Sequence, residues 1–140
     1  MKSINKKKII ITVAVIAVII VLIKVVPMIN FVYIDRDSVT NIAIYDSMYE
    51  EPLVKIENVD EFIDNLDTAE WRIIYNWEYK WAYKFYISLE PIGEKIAIYG
   101  AGEERGKEYG FVKYNGIHYR IPIEAYDYIE SFIYDYLYPY

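Results

Sequence analysis

The chain has no cysteine and a single histidine, His118, in 140 residues. Without a thiol there is no disulfide framework, no cysteine nucleophile and no lipobox for a lipid anchor. A lone histidine rules out a His-x-x-x-His metal pair. An acid–base role for it would need a positioned partner, and the surrounding sequence names none, so His118 reads as an ordinary surface strand histidine. No cofactor, metal-ligand set or catalytic constellation is visible, and the chain is expected not to be an enzyme.

Acid is missing from one region. Residues 1–34 hold five lysines and no Asp or Glu, whereas residues 35–140 carry ten Lys plus Arg against twenty-one Asp plus Glu, a net of −11. That balance argues against nucleic acid as a partner, because phosphates would be repelled. The acids form no Asp-x-Asp-x-Asp-Gly calcium loop, and Asp35-Arg36-Asp37 is too short a fragment of one. Glycoside hydrolysis needs two carboxylates across a cleft that a domain this small rarely has. Solvated acidic surface is the simpler reading.

What is present starts with Lys6-Lys7-Lys8, followed by fifteen residues, Ile9–Ile23, whose one polar member is Thr12. About 20 apolar residues cross roughly 30 Å of hydrocarbon. The window Ile9–Met28 meets that length, with Lys24 close enough to one end to snorkel. Pro27 falls near the exit, where a helix bends or stops at little cost. Val25, Val26, Pro27, Met28 and Ile29 offer no small-x-small cleavage site, which favours an uncleaved anchor over a signal peptide. A buried core helix would show a polar face, and this run has none. The expected plan is a cytoplasmic basic tail (1–8), a transmembrane anchor in the bilayer (9–29), a short stem (30–38) and an extracytoplasmic domain (39–140). The positive-inside rule places the lysine-rich N-terminus in the cytoplasm, making this a single-pass protein of the cell membrane. The 25 isoleucines and 17 tyrosines suit an AT-rich, Gram-positive-like bacterial genome.

The outer region is long enough for one domain. In Lys80–Glu90 the odd positions Trp81, Tyr83, Phe85, Ile87 and Leu89 alternate with polar residues, a strand with one buried face. Pro91-Ile92-Gly93-Glu94 turns into a return strand, Lys95–Tyr99. Pairing Glu90 with Lys95 sets Leu89 beside Ile96 and Ile87 beside Ile98. Asn115-Gly116 is the favoured two-residue hairpin turn between Tyr109–Tyr114 and Ile117–Ile121. Its register puts Tyr114 beside Ile117 and Val112 beside Tyr119, and leaves Phe111, Lys113, His118 and Arg120 on the opposite face. Val39–Tyr45 and Leu53–Ile56 read as two shorter strands. Asn58 and Glu61 resemble a capping box ahead of Val59, Phe62, Ile63 and Leu66, and a second helix is expected over about Glu124–Leu137. The fold class is therefore α+β: an N-terminal transmembrane helix, then a small antiparallel-sheet domain in the order β-β-α-β-β-β-β-α.

Gly100-Ala101-Gly102-Glu103-Glu104-Arg105-Gly106 has the wrong spacing for a phosphate loop, and two glutamates would repel phosphate, so a flexible hairpin loop is expected there. Aromatics are the one excess, at 18% of residues. Trp77 and Tyr79 fall outside the core stripe, and Tyr134, Tyr138 and Tyr140 crowd a terminal helix that cannot bury them all. Exposed tyrosine is enriched at protein interfaces. Phe111, Lys113, His118 and Arg120 form a cationic-aromatic patch suited to an anion or to a partner's carboxylates, with Phe111 near enough to stack on the Arg120 guanidinium. These nine residues are the candidate interaction surface. The expected function is a non-enzymatic interaction or accessory module of the cell envelope, contacting an envelope protein or a second copy of itself. The alternative is a domain that binds or hydrolyses cell-wall material through carboxylates.

Overall fold

Twenty residues, Lys6–Val25, form the first helix, α1, and none of its side chains is buried against the rest of the protein. Its apolar character runs all round, which for a helix standing alone in water has no physical support. It is long and apolar enough to cross a membrane. The computed structural model describes residues 5–25, 32–75 and 82–138, without the side chain of Tyr136. The expected span to residue 29, and Pro27 with it, extends outside the described residues.

Beyond the helix, the described residues form seven strands in one antiparallel sheet: β1 (Asn41–Asp46), β2 (Val54–Ile56), β3 (Arg72–Ile73), β4 (Phe85–Glu90), β5 (Glu94–Glu104), β6 (Lys107–Tyr114) and β7 (Ile117–Pro122). Their spatial order is β2-β1-β4-β5-β6-β7-β3. Two helices, α2 (Val59–Leu66) and α3 (Ile123–Leu137), complete the domain. The order is thus β-β-α-β-β-β-β-β-α, one strand more than expected. The added strand is β3, whose two residues pair with Tyr119 and Arg120 at the sheet edge. Two residues carry no readable period, so pairing with β7, not local pattern, makes them a strand.

The helix-covered face is the core. Ile42, Ile44, Ile87, Leu89, Ile96, Val112 and Ile121 are essentially inaccessible, as the period-2 pattern requires. An eight-residue helix is too short to persist alone. α2 is held because Phe62, Ile63 and Leu66 enter the core, worth roughly 5–9 kcal/mol as an upper estimate. Asn58 caps it as anticipated: its Oδ1 accepts from the Glu61 amide at 3.1 Å, and its Nδ2 donates to the Glu61 carboxylate at 3.0 Å. At the other end the buried Trp71 indole donates to the Leu66 carbonyl at 2.7 Å. Ala125, Ile129 and Ile133 seat α3 on the sheet. Gly110 on β6 makes room for it, since a Cβ there would lie 2.7 Å from Tyr126 Cβ.

Three further expectations are corrected. The β4–β5 register sets Leu89 beside Glu94 and Ile87 beside Ile96, two residues from the expected pairing. Three residues, Pro91, Ile92 and Gly93, separate the strands, and the Gly93 amide donates to the Leu89 carbonyl at 2.9 Å. A displacement of two leaves every side chain on its expected face, so hydrophobic pattern alone could not detect it. Residues 100–106 are not a loop: β5 runs to Glu104, and Arg105-Gly106, both at positive φ, make a second two-residue turn. A register shift between Ile98 and Gly100 bends this long arm. The strand expected from Lys80 begins at Phe85, and Tyr83 is exposed instead of joining the core stripe; Trp81 lies outside the described residues. The Asn115-Gly116 hairpin has the expected register throughout.

Residues 32–38 lie against the domain. Val32 and Ile34 pack on the core, and the Arg36 guanidinium contacts Asp64 of α2 at 2.6 Å. The Tyr114 hydroxyl donates to Glu94 and lies 3.4 Å from the Tyr33 carbonyl oxygen. Burial and that carboxylate push the Tyr114 phenol well above its ordinary pKa.

Candidate functional site

Among the described residues, both helices of the domain lie on one side of the sheet. The register fixes what faces the other side. Tyr45 opposes Tyr86, Tyr86 opposes Ala97, Ala97 opposes Lys113, and Lys113 opposes His118, a single row across five strands. Tyr45, Tyr86 and Tyr99 are half-buried on this face, Tyr83 beside them is exposed, and the rings touch one another. Tyr45 and Tyr86 stack with centroids 5.2 Å apart and planes 5° from parallel. Tyr83 meets Tyr86 and Tyr99 edge-on at 6.5 and 5.9 Å, and Tyr99 meets His118 at 5.6 Å. Five rings thus form a continuous ladder, each restrained by its neighbours. The Lys95 ammonium sits 4.8 Å from the Tyr86 ring centre. Burial, then the Lys113 ammonium, lowers the His118 pKa, so the imidazole is neutral at pH 7. Burial raises the Tyr99 phenol.

At the β3 end of the same face Arg72 and Arg120 are direct cross-strand partners. Their like charges are each offset by a carboxylate: Arg120 contacts Glu104 at 2.6 Å and Arg72 approaches Glu70 at 3.7 Å. The Tyr109 ring lies between two cations, with the Arg120 guanidinium 5.4 Å and the Lys107 ammonium 5.5 Å from its centre. These groups and Glu124 line a cleft of about 230 Å³.

The nine candidate residues separate into three groups. Lys113, His118 and Arg120 share the face and are half-buried, as the hairpin register implied. Phe111 shares it as well but is fully buried, its ring against the β5 arm where a Cβ at Gly102 would be 3.1 Å away. It is therefore not a contact residue, and the aromatic partner of Arg120 is Tyr109. Tyr134 and Tyr138 are exposed at the end of α3 with ring centres 4.9 Å apart, and Tyr138 donates to Glu130 at 3.2 Å. They form a separate patch. Trp77, Tyr79 and Tyr140 lie outside the described residues. Sequence reasoning missed Tyr45, Tyr86, Tyr99, Tyr109 and Arg72. The available signals were Tyr86, the aromatic at an otherwise polar even position of its strand, and Tyr109, two residues before Phe111.

No group of three His, Asp or Glu side chains among the described residues has the arrangement of a metal site. Comparison with protein families, curated proteins and solved structures finds no match.

Proposed function

We propose that the chain is a single-pass membrane protein whose domain stands outside the cytoplasm as a non-enzymatic accessory module. It holds a second envelope protein by the sheet face opposite the helices. The ring ladder Tyr45–Tyr86–Tyr83–Tyr99–His118 carries this reading. Tyrosines with restrained rotamers give large contact area at low entropic cost, and they are enriched where proteins meet. The address rests on α1 and on Lys6, Lys7 and Lys8 at its N-terminal end, which the positive-inside rule keeps in the cytoplasm.

Two experiments test it. Because the chain lacks cysteine, one introduced thiol reports topology cleanly. Ser3→Cys should resist and Glu51→Cys should accept an impermeant maleimide on intact cells; the reverse pattern refutes the orientation. A photo-crosslinking residue at Tyr45 or Tyr86, in the full chain in its own membrane, should trap another envelope protein identifiable by mass spectrometry. The same probe at Asp127 on α3 should not. No protein adduct from either face position would overturn the interaction reading.

A further inference from the structure

We infer that the partner's contact surface is acidic: the face opposite the helices docks a polypeptide segment presenting carboxylates, one of them seated between Arg72 and Arg120. This deepens the proposed function and rests on its assignment of that face. The observation behind it is a sorting of charge. Of the ten cations beyond residue 34, six occupy this face by register: Lys55, Arg72, Lys95, Lys107, Lys113 and Arg120. The strand acids that share it are Glu90 and Glu104. Residues 35–140, of net −11, therefore turn a locally positive, tyrosine-rich surface outward on one side. Salt screens the rest: the Debye length is about 8 Å at physiological ionic strength, whereas packed layers stand about 10 Å apart. Acids on α2 and α3 lie a layer behind the sheet, so an approaching partner meets the nearer cations first.

The chemistry of the cleft selects carboxylate. Like charges placed directly across two strands destabilise a sheet. Arg72 and Arg120 tolerate it through Glu70 and Glu104; Arg72 Nη1 donates to the Ala69 and Trp71 carbonyls at 3.0 and 2.9 Å, and its Nη2 reaches Glu70 only at 3.7 Å. A guanidinium fork accepts a planar carboxylate through two parallel hydrogen bonds, and a further carboxylate here would serve both arginines. The cleft, about 230 Å³, is smaller than the roughly 300–1,000 Å³ of ordinary small-molecule sites and suits a single side chain. Glu70 and Glu124 on its rim penalise a doubly charged phosphate more than a singly charged carboxylate. Tyr109, between Lys107 and Arg120, supplies an aromatic wall for the aliphatic stem of a glutamate.

The test uses the full chain in phosphatidylcholine nanodiscs, with end-blocked hexaglutamate and hexalysine peptides as probes and fluorescence anisotropy as readout. Hexaglutamate should bind, hexalysine should not, and binding should weaken steeply with added salt. Lys95→Glu with Lys113→Glu lies at half-buried or exposed positions and should leave the melting temperature in place while weakening hexaglutamate at least ten-fold. Arg120→Lys keeps the charge and loses the fork, so a several-fold loss is expected. Equal binding of both peptides, an unchanged affinity after the double charge reversal, or capture of phosphatidylglycerol vesicles without hexaglutamate binding would each overturn the inference. Failure here with a protein crosslink still formed at Tyr86 refutes the acidic partner and leaves the proposed function standing. Hexaglutamate binding with no crosslink in the membrane does the opposite.

Discussion

Gly110 is the position where one added carbon should tell most about how the helix layer sits on the sheet. A Cβ there would lie 2.7 Å from both Cβ and Cδ2 of Tyr126 and 2.9 Å from Cγ1 of Ile121. Two of those three atoms are close to their own backbones and cannot swing away, so in Gly110→Ala either α3 lifts or β6 sinks. Overpacking of this kind costs about 1–3 kcal/mol. Fewer accessible states in the unfolded chain offset about 0.4–1 kcal/mol. The net loss is then roughly 0–2.6 kcal/mol, and at about 4 °C per kcal/mol for a domain near 100 residues the melting point should fall by up to about 10 °C. Near-UV circular dichroism of the detergent-solubilised full chain reads the domain without interference from α1, which holds no aromatic residue. Gly102→Ala is the comparison, because its nearest neighbour is one ring atom of Phe111 at 3.1 Å, which can yield slightly; its melting point should move less than half as far. A Gly110→Ala protein melting above the wild-type temperature would refute the close seating of α3 on β6.

Asn58→Ala removes the cap of α2 and should cost about 1 kcal/mol in urea unfolding, with the m-value unchanged. Trp71→Phe deletes the donor to the Leu66 carbonyl and leaves that acceptor unpaired in the core; a loss of about 2–4 kcal/mol is expected by the same measurement. His118 has a folded pKa below its unfolded value of about 6.5, so the unfolded chain takes the proton first and stability falls as pH drops below that value. His118→Gln should therefore lose less melting temperature than wild type between pH 7 and pH 5. Tyr126 is pushed up to about 12, by burial first and then by Glu130, Tyr138 and Asp127. Its contribution is complete below about pH 10 and is lost as pH rises through the folded value, so Tyr126→Phe should flatten alkaline unfolding in that window.

How far the sequence could be read depended on whether the deciding contact was local. Asn115-Gly116 fixes its own hairpin, because both residues must adopt positive φ and the turn then dictates the partners. The α2 cap and the α3 stripe are equally local. The length of β5 was hidden by Gly100 and Gly102, which lower strand propensity by themselves; Gly100, at positive φ, sits at the register shift, and the Phe111 ring lies in the space that Gly102 leaves. In the candidate site, Lys113, His118 and Arg120 were legible as one face of a hairpin. Tyr45 and Arg72 were not, because each joins that face only through a non-local pairing, β1 with β4 and β3 with β7. Alternation reveals that a strand has two faces; which residues of different strands share one is decided by sheet order, and the sorting of lysine and arginine onto the second face follows from that order alone.

Geometry near the proposed anchor limits how strong this surface has to be. Val25 ends α1 and Val32 packs on the domain core seven residues later, so at about 3.3–3.6 Å per residue those points lie within about 25 Å. Arg36 on Asp64 and the packing of Ile34 fix the chain from there onward. With α1 in the bilayer, the domain is confined to a layer little thicker than itself. A partner in the same membrane then meets it at an effective concentration near the millimolar range typical of short linkers. Half-occupancy at that concentration needs only about 4 kcal/mol. Exposed ion pairs yield about 0.2–1 kcal/mol each, and restrained aromatic pairs about 0.5–1.5. Those contacts must also offset the freedom lost on association, so the apolar area of the five rings has to supply the remainder. On the proposed reading, the same surface detached from the membrane and offered to a partner at micromolar concentration would need about 4 kcal/mol more, so its occupancy would depend on the anchor as much as on its chemistry.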